Sequence, residues 1–336
     1  MSRNRLSRKP IRVIKAGEIR QYYSMRQAID AMERAFTALS SGDCYVPDRV
    51  VSKLPDKELI MLFKPAYVEK DKRVTIKFLT QRESGLLPGI PTIQGIVLLI
   101  DSSTGELLSI MDGEYLTALR TGAASGLATR CFARKDSRNL ALFGCGTQGR
   151  TQLEAVLCEQ NIERILVFDT NSELAHQFVS EMEKKLNAEI VISTDTRQLK
   201  DADIICTATN ATAPLFKREE VKNGVHINAI GSFQPHMQEL DPFIIRDARI
   251  FLDKAEPCLK ESGDLIIPIK ERVISENHIA GEIGDFLLNR ISGRESEDQI
   301  TLFKSVGVAI QDYTVATDIY NNALEQGFGQ EINIFE

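Results

Sequence analysis

The run Gly144-Cys145-Gly146-Thr147-Gln148-Gly149 constrains this chain more than any other stretch. Alone, a GxGxxG hexapeptide is a weak pattern; its surroundings sharpen it. The apolar segment Asn139-Leu140-Ala141-Leu142-Phe143 reads as a strand before it, and Gln148 to Glu159 reads as a helix opening from it. A second apolar segment, Ile165-Leu166-Val167-Phe168, ends at Asp169, 20 residues beyond Gly149. Strand, glycine turn, helix, strand and acid in that order describe a dinucleotide-binding unit. Glycines allow a tight turn and close backbone approach to a pyrophosphate, and the helix N-terminus supplies free N–H groups and a favourable dipole. Gly144, Gly146, Thr147, Gln148 and Gly149 are thus candidates for the phosphates, and Asp169 for the ribose. A carboxylate there accepts from the ribose 2′-OH and repels a 2′-phosphate. The next residues, Thr170-Asn171-Ser172, bring no arginine. NAD is therefore favoured, with NADP as the alternative. The competing reading is a glycine turn that serves packing alone.

The style of the sequence changes near residue 135. Before it, Met25 to Leu39 is amphipathic, with Ala28, Met32, Phe36 and Leu39 at helical spacing. Strand-like runs follow at 48–54, 58–63, 73–80, 92–101 and 106–111, and an Ala/Gly-rich helix is expected over Gly113 to Ala133. This part reads as an α+β domain with an antiparallel or mixed sheet. After Arg134-Lys135-Asp136-Ser137, strands at 139–143, 164–168, 189–193, 203–207, 225–230 and 248–252 alternate with helical stretches, the rhythm of a doubly wound parallel sheet. The tail, Ile300 to Gln326, reads as helical, with Ser305-Val306-Gly307 carrying the chain back onto the first domain. The fold class is α/β, a Rossmann domain over 135–304 beside an α+β domain over 1–134 rejoined by 305–336.

Composition narrows the function classes. A chain of 336 residues with 43% hydrophobic and 26% charged residues is globular and long enough for two domains. Its net charge of −6 disfavours a nucleic-acid surface. The apolar run Ile96 to Ile100 stops at Asp101, far short of a membrane span. The cysteines at 44, 131, 145, 158, 206 and 258 form no CxxC pair, and the histidines at 176, 226, 236 and 278 fall at no metal-ligand spacing. They read as reduced thiols in a cytoplasmic protein without a metal site. The basic opening, Met1 to Arg12, reads as a short disordered arm in preference to a presequence.

Fixed cations are what a site for a small acid requires. Lys77 lies in Arg73-Val74-Thr75-Ile76-Lys77-Phe78-Leu79, where alternation puts it opposite Val74, Ile76 and Phe78. On that pattern alone a solvent-facing lysine is the plainer reading. Arg120 falls inside the apolar stripe of Leu116, Leu119, Ala123 and Leu127. A charge there needs a partner, either a structural acid or a ligand's carboxylate or pyrophosphate. Arg49, after Val46-Pro47-Asp48, is by itself only an arginine at a strand start.

Several motifs in sequence carry a resemblance. They are Gly95 to Asp101 with Thr104-Gly105-Glu106, Met111-Asp112-Gly113 with Leu116 to Ala123, Gly144 to Gly149, and Gly231 to Pro235 with Glu239-Leu240-Asp241. Ser262-Gly263-Asp264, Gly281 to Gly284 and Ser305-Val306-Gly307 complete the set. Over roughly residues 45–320 the chain resembles the ornithine cyclodeaminase/mu-crystallin family. The resemblance implies a homodimer whose first domain, rejoined by the C-terminal helix, supplies dimerisation and substrate binding, and whose Rossmann domain holds the dinucleotide. It implies that Arg49, Lys77 and Arg120 grip a substrate α-carboxylate. Thr121 and Arg120 are expected beside the cofactor, as are Gly231 and Ser232.

Two departures bear on the substrate. The turn Gly231-Ser232-Phe233-Gln234-Pro235-His236-Met237 lacks the aspartate of ornithine cyclodeaminases. Met61-Leu62-Phe63-Lys64-Pro65 has no acid and places a lysine before the proline. The expectation is therefore hydride transfer at the α-carbon of a small amino or imino acid, as in an amino-acid dehydrogenase or cyclic ketimine reductase. An ornithine or lysine cyclodeaminase and a dinucleotide-bound ligand-binding protein of crystallin type are the alternatives. Amine oxidation needs a base, and Lys77 and His236 are the candidates.

Overall fold

A computed structural model describes residues 9–55, 59–82 and 93–334, so the expected arm, Met1 to Arg12, lies largely outside the described residues; its end, Ile11-Arg12, is strand. The chain divides into two compact units, residues 1–120 with 308–336, and residues 121–307.

The first unit opens with β1 (Ile11–Ile14), α1 (Ala16–Tyr22) and α2 (Met25–Ser41). Ser24 and Gln27 form a capping box on α2, and Gly42 ends it in the left-handed conformation. Its apolar face is buried through Ala28, Ile29, Met32, Ala35 and Phe36. The strands β2 (Val50–Lys53), β3 (Leu59–Val68), β4 (Arg73–Arg82), β5 (Ile93–Asp101) and β6 (Leu107–Asp112) follow, and then α3 (Gly113–Phe132). The ladder of β2 on β3 ends at the Val50–Phe63 pair. Pro65, which has no N–H, therefore costs that ladder no hydrogen bond.

The second unit is an eight-stranded sheet, parallel throughout. Its elements in chain order are β7 (Asn139–Phe143), α4 (Thr147–Glu159), β8 (Arg164–Phe168), α5 (Ser172–Met182), β9 (Glu189–Ile192), β10 (Ile204–Thr207) and β11 (His226–Ala229). They continue with α6 (Pro242–Asp247), β12 (Arg249–Leu252), α7 (Ala255–Glu261), α8 (Gly263–Lys270), β13 (Ile279–Glu282), α9 (Ile283–Leu287) and β14 (Thr301–Lys304). The sheet runs β13-β12-β14-β11-β10-β7-β8-β9. Alternate residues of its central strands feed two cores. Leu140, Leu142, Ile165 and Val167 meet Leu153, Val156 and Phe178 on one face. Ala141, Phe143, Leu166 and Ile205 join Leu240, Ile244 and Leu265 on the other. Apolar residues on both faces are the mark of a doubly covered parallel sheet.

The chain then returns to the first unit as α10 (Ala309–Gln326) and β15 (Gln330–Ile332). The first sheet is thereby completed in the order β15-β1-β6-β5-β4-β3-β2, with β1 and β6 parallel and the other pairs antiparallel. α10 packs on α2 and on β3 and β4.

Three sequence expectations change. Thr301–Lys304 is not helical; it is a central strand, whose polar ends disguise it. Ser305-Val306-Gly307 is bound within the second unit, where the Ser305 Oγ and the N–H groups of Val306 and Gly307 all donate to Asp253. The division between units falls within α3, at Arg120/Thr121, ahead of the expected 134. Residues after Arg120 are committed to the second unit. Gly122 packs on Thr151, Asn228 donates to Thr129 Oγ1 at 3.0 Å, and Phe132 stacks on Phe251 with centroids 3.8 Å apart.

Candidate functional site

The glycine loop of the second unit follows β7, where the sheet order reverses between β7 and β10. In open α/β sheets this switch point is where ligands bind. Gly144 has φ +96°, and its N–H donates to the Phe168 carbonyl. A Cβ on Gly149 would stand 1.9 Å from the Gly144 carbonyl oxygen, so the first turn of α4 closes on the loop only because that residue is glycine. Gly146 differs: a Cβ there would meet nothing within 4 Å, so packing does not require it. Gly146 and Thr147 are exposed, and Gly146 caps α4 without a side-chain hydrogen bond. An exposed helix start with no side-chain cap fits a pyrophosphate. Gln148 follows, its buried Oε1 bonded to none of the described residues. The Asp169 carboxylate accepts from the N–H groups of Cys145 (2.7 Å) and Asn171 (2.8 Å), which ties the loop to the end of β8. Thr121 is buried beside α4, its carbonyl accepting from Gln152 Nε2 at 3.4 Å.

Gly231 and Ser232 follow β11. Their N–H groups donate to Glu239 Oε2 at 2.8 and 3.2 Å. Thr207 Oγ1 donates to the same oxygen, and Thr209 donates through N and Oγ1 to Oε1. Glu239 therefore pins the segments leaving β10 and β11 together. Burial raises its carboxyl above the usual range and the nearby Asp264 adds to this, while Lys304 and Thr209 oppose it. Asp264 accepts from the Glu239 N–H and from Lys304 Nζ at 3.0 Å. The sequence motif contained Glu239 but did not reveal this task. His236 sits exposed in the turn beyond Ser232 and makes no side-chain hydrogen bond to the described residues.

The first unit holds a cation cluster. β4 buries Thr75, Lys77 and Leu79 and leaves Val74, Ile76 and Phe78 half-buried, so its polar-looking face is the inner one. Lys77 is only 1% exposed, against the solvent-facing reading. Its Nζ lies 2.7 Å from Asp312 Oδ1 and 3.3 Å from Thr117 Oγ1. Arg120 reaches the same Asp312 oxygen through Nε at 3.1 Å and Gln311 Oε1 through NH1 at 3.0 Å. The buried arginine thus has a structural acid, contributed by α10. Asp312 Oδ2 is buried without a hydrogen-bond partner among the described residues. Burial works against the Asp312 carboxylate, but Lys77 and Arg120 hold it below its ordinary range. Burial brings the Lys77 ammonium down to about 8; Asp312 opposes that shift and Arg120 adds to it. Arg49 is half-buried just before β2 and acts electrostatically on Lys77. Arg49, Lys77 and Arg120 thus belong to one unit, while the loop residues and His236 belong to the other.

Two members of this cluster were not among the candidate site residues of the sequence. Asp312 carries a signal, an acid on a helix whose neighbours Ile310, Tyr313, Val315 and Ala316 are buried. Lys64 is the other. It pairs in register with Lys77 across β3 and β4 and is buried. Burial, then the charges of Lys77, Arg49 and Arg120, hold its ammonium well below the usual lysine range, against the pull of Asp312.

Among the described residues no group of three or more His, Cys, Asp or Glu could hold a metal ion, and no helix is long and apolar enough to cross a membrane. Residues 11–327 match the family model of the ornithine cyclodeaminase/mu-crystallin family. A delta(1)-pyrroline-2-carboxylate reductase of Bacillus cereus is 36% identical over 322 residues, 95% of this chain and 99% of that protein. The structure of the Thermococcus litoralis delta(1)-pyrroline-2-carboxylate reductase, in complex with NADH and L-proline, superposes with a TM-score of 0.92 at 38% identity, covering 96% of this chain and all of that one (100%). An archaeal alanine dehydrogenase dimer with bound NAD superposes with a TM-score of 0.90 at 32% identity, covering 97% and 99%.

Proposed function

The chain belongs to the ornithine cyclodeaminase/mu-crystallin family, and on that premise we propose that it is an NAD-dependent oxidoreductase acting at the α-carbon of a small imino or amino acid. The observation that carries this reading is the buried pair Lys77 and Arg120, which share one oxygen of the Asp312 carboxylate. Buried positive charge in excess of its counter-charge is costly unless an anion completes it, and a substrate carboxylate is such an anion. Arg49, Lys77 and Arg120 bind it and fix the orientation of the α-carbon, a gain of geometry and entropy.

The dinucleotide supplies hydride transfer to and from that carbon. Gly144, Gly146, Thr147, Gln148 and Gly149 hold its phosphates, together with Thr121 and Arg120. Asp169 takes the ribose, and Gly231 and Ser232, braced by Glu239, line the remainder. The carboxylate at Asp169 favours NAD over NADP. Lys77, brought down to about 8, gains or loses a proton near neutral pH and serves as the acid and base for the substrate nitrogen. His236 is the second candidate for that duty. Glu239, the acid nearest the 231–237 turn in sequence, is spent on backbone and threonine donors, which weighs against a cyclodeaminase that would need a free carboxylate there.

The protein works as a homodimer in the cytoplasm. Support for the dimer comes from a row running in register across four strands, Val50, Phe63, Phe78 and Ile96. Val50 is 57% exposed and Phe63 and Ile96 are 36% and 38% exposed, an apolar sheet face that a second copy would cover. The cysteines form no disulfide among the described residues, which accords with a reducing compartment.

Purified protein with NADH and delta(1)-pyrroline-2-carboxylate, or with pyruvate and ammonia, tests the activity. Loss of NADH absorbance is expected. Ammonia release from ornithine or lysine without net absorbance change would identify a cyclodeaminase instead, and NAD binding without turnover across the panel would identify a ligand-binding protein.

A further inference from the structure

Among the described residues, the Asp, Glu, Lys and Arg side chains with 0% exposure are Glu239, Asp253, Asp264 and Lys304. All four meet at one edge of the second sheet. Lys304 ends β14, Asp253 follows β12, and Glu239 ties Thr207 at the end of β10 to Gly231 and Ser232 after β11. Asp264 joins Glu239 to Lys304. The sheet order β9-β8-β7-β10-β11-β14 contains the two halves of a dinucleotide fold. The glycine loop and Asp169 belong to the first half, which takes the adenosine, so β10, β11 and β14 form the half that faces the nicotinamide.

The charges at this edge do not balance. Thr207, Thr209, Gly231 and Ser232 donate to Glu239, and Lys254 N–H, Cys258, Ser305, Val306 and Gly307 donate to Asp253. Such donors satisfy carboxylate oxygens but carry no net charge. Lys304 Nζ goes to Asp264 at 3.0 Å, and the Lys254 ammonium goes to Glu282. Three fully buried carboxylates thus face one fully buried lysine. Excess charge of one sign inside a protein is offset best by a charge of the other sign. The nicotinamide ring is a cation when oxidised and neutral when reduced.

We propose that Glu239 and Asp253 favour the oxidised ring through their charge, and so assist hydride donation from NADH. As the hydride passes to the substrate's α-carbon, positive charge grows on the ring, and anions fixed in advance stabilise it without reorganising. Burial and Asp264 disfavour the Glu239 charge, Lys304 and Thr209 favour it, and a cationic ring adds to the favouring side. The inference rests on reading the glycine loop as the dinucleotide site.

Unmutated protein tests this first. NAD+ should bind about tenfold tighter than the isostere in which an uncharged C-glycosidic pyridine replaces its nicotinamide ring, read by calorimetry. Roughly tenfold is the worth of a unit charge about 10 Å away at an effective dielectric of about 20. Equal or weaker binding of NAD+ would overturn the proposal. Glu239→Gln and Asp253→Asn then remove one charge each. In each, the Kd of NADH divided by that of NAD+ should fall at least about threefold, while the Kd of ADP-ribose, which lacks the ring, stays within about threefold. The ratio does not depend on the folded fraction, because one preparation serves both measurements. An unchanged ratio, or equal losses for all three ligands, would mark the carboxylates as braces alone and overturn the proposal with the dinucleotide site left standing. Failure of wild type to bind any of these ligands would remove the site as well.

Discussion

Replacing Asp312 by Asn tests the central electrostatic claim, because it keeps the shape of the side chain and removes only its charge. Lys77 and Arg120 each make a hydrogen bond to Oδ1, at 2.7 and 3.1 Å, with exposures of 1% for both members of the lysine pair. Each charge-assisted bond contributes roughly 1.5–3 kcal/mol and a neutral one roughly 0.5–1.5, so the two together lose about 2–3 kcal/mol. The cations also lose their counter-charge, which brings the expected total to about 3–5 kcal/mol, the cost of breaking a buried pair. That cost depends on pH with a definite sign. Asp312 opposes the depression of Lys77, so in the variant the Lys77 ammonium falls further below about 8. A neutral Lys77 no longer requires the carboxylate. The destabilisation should therefore be largest near pH 6 and shrink as pH rises through the wild-type Lys77 value toward 9. Urea titrations followed by far-UV circular dichroism at the two pH values measure this directly. A loss below about 1 kcal/mol at pH 6, or one that grows toward pH 9, would refute the argument that this carboxylate neutralises the cluster.

Gly149→Ala should abolish NAD binding, since its methyl group would meet the Gly144 carbonyl at 1.9 Å; equilibrium dialysis with labelled NAD reads this, and near-normal affinity would contradict the close approach. Asp169→Ser should raise NADPH use relative to NADH by about tenfold or more in the kcat/KM ratio, by removing the repulsion of a 2′-phosphate. His236→Ala should change turnover by no more than about threefold, because an exposed imidazole that no described residue orients is a poor proton carrier. A larger loss, with the disappearance of a limb from the pH–rate profile, would assign it the duty here given to Lys77.

How much of this was legible in the residues depended on whether the signal was local. The glycine loop, its flanking strands and Asp169 lie within 31 consecutive positions, 139 to 169, and obey short-range rules. Arg120 was readable as a charge in an apolar stripe that required a partner. The partner was not readable, because Asp312 lies 192 residues further on. Lys77 was misjudged for a related reason: alternation identifies two faces of a strand but not which one a distant helix will cover. Here α10 covers the face with the polar residues. Lys64 was visible as an oddity before Pro65, yet its weight comes from register with Lys77, which a single strand does not encode. Thr301–Lys304 hid as a strand because its terminal threonine and lysine are polar. Both are buried, and the lysine is matched by Asp264.

The discontinuity of the first unit bears on the order in which a ribosome can deliver it. Residues 121–307 are contiguous and emerge before α10. They can complete their parallel sheet while the nascent chain is still growing, as domains generally do. The first unit cannot. Until synthesis reaches Asp312, Lys77 and Arg120 wait for the acid they share, and until β15 arrives β1 remains an open edge. The acid that organises the cluster is thus also a checkpoint on completeness. A chain that stops short of residue 312 carries a finished dinucleotide unit and a half-built partner whose buried cations must stay in water, and such a product belongs to chaperones and proteases.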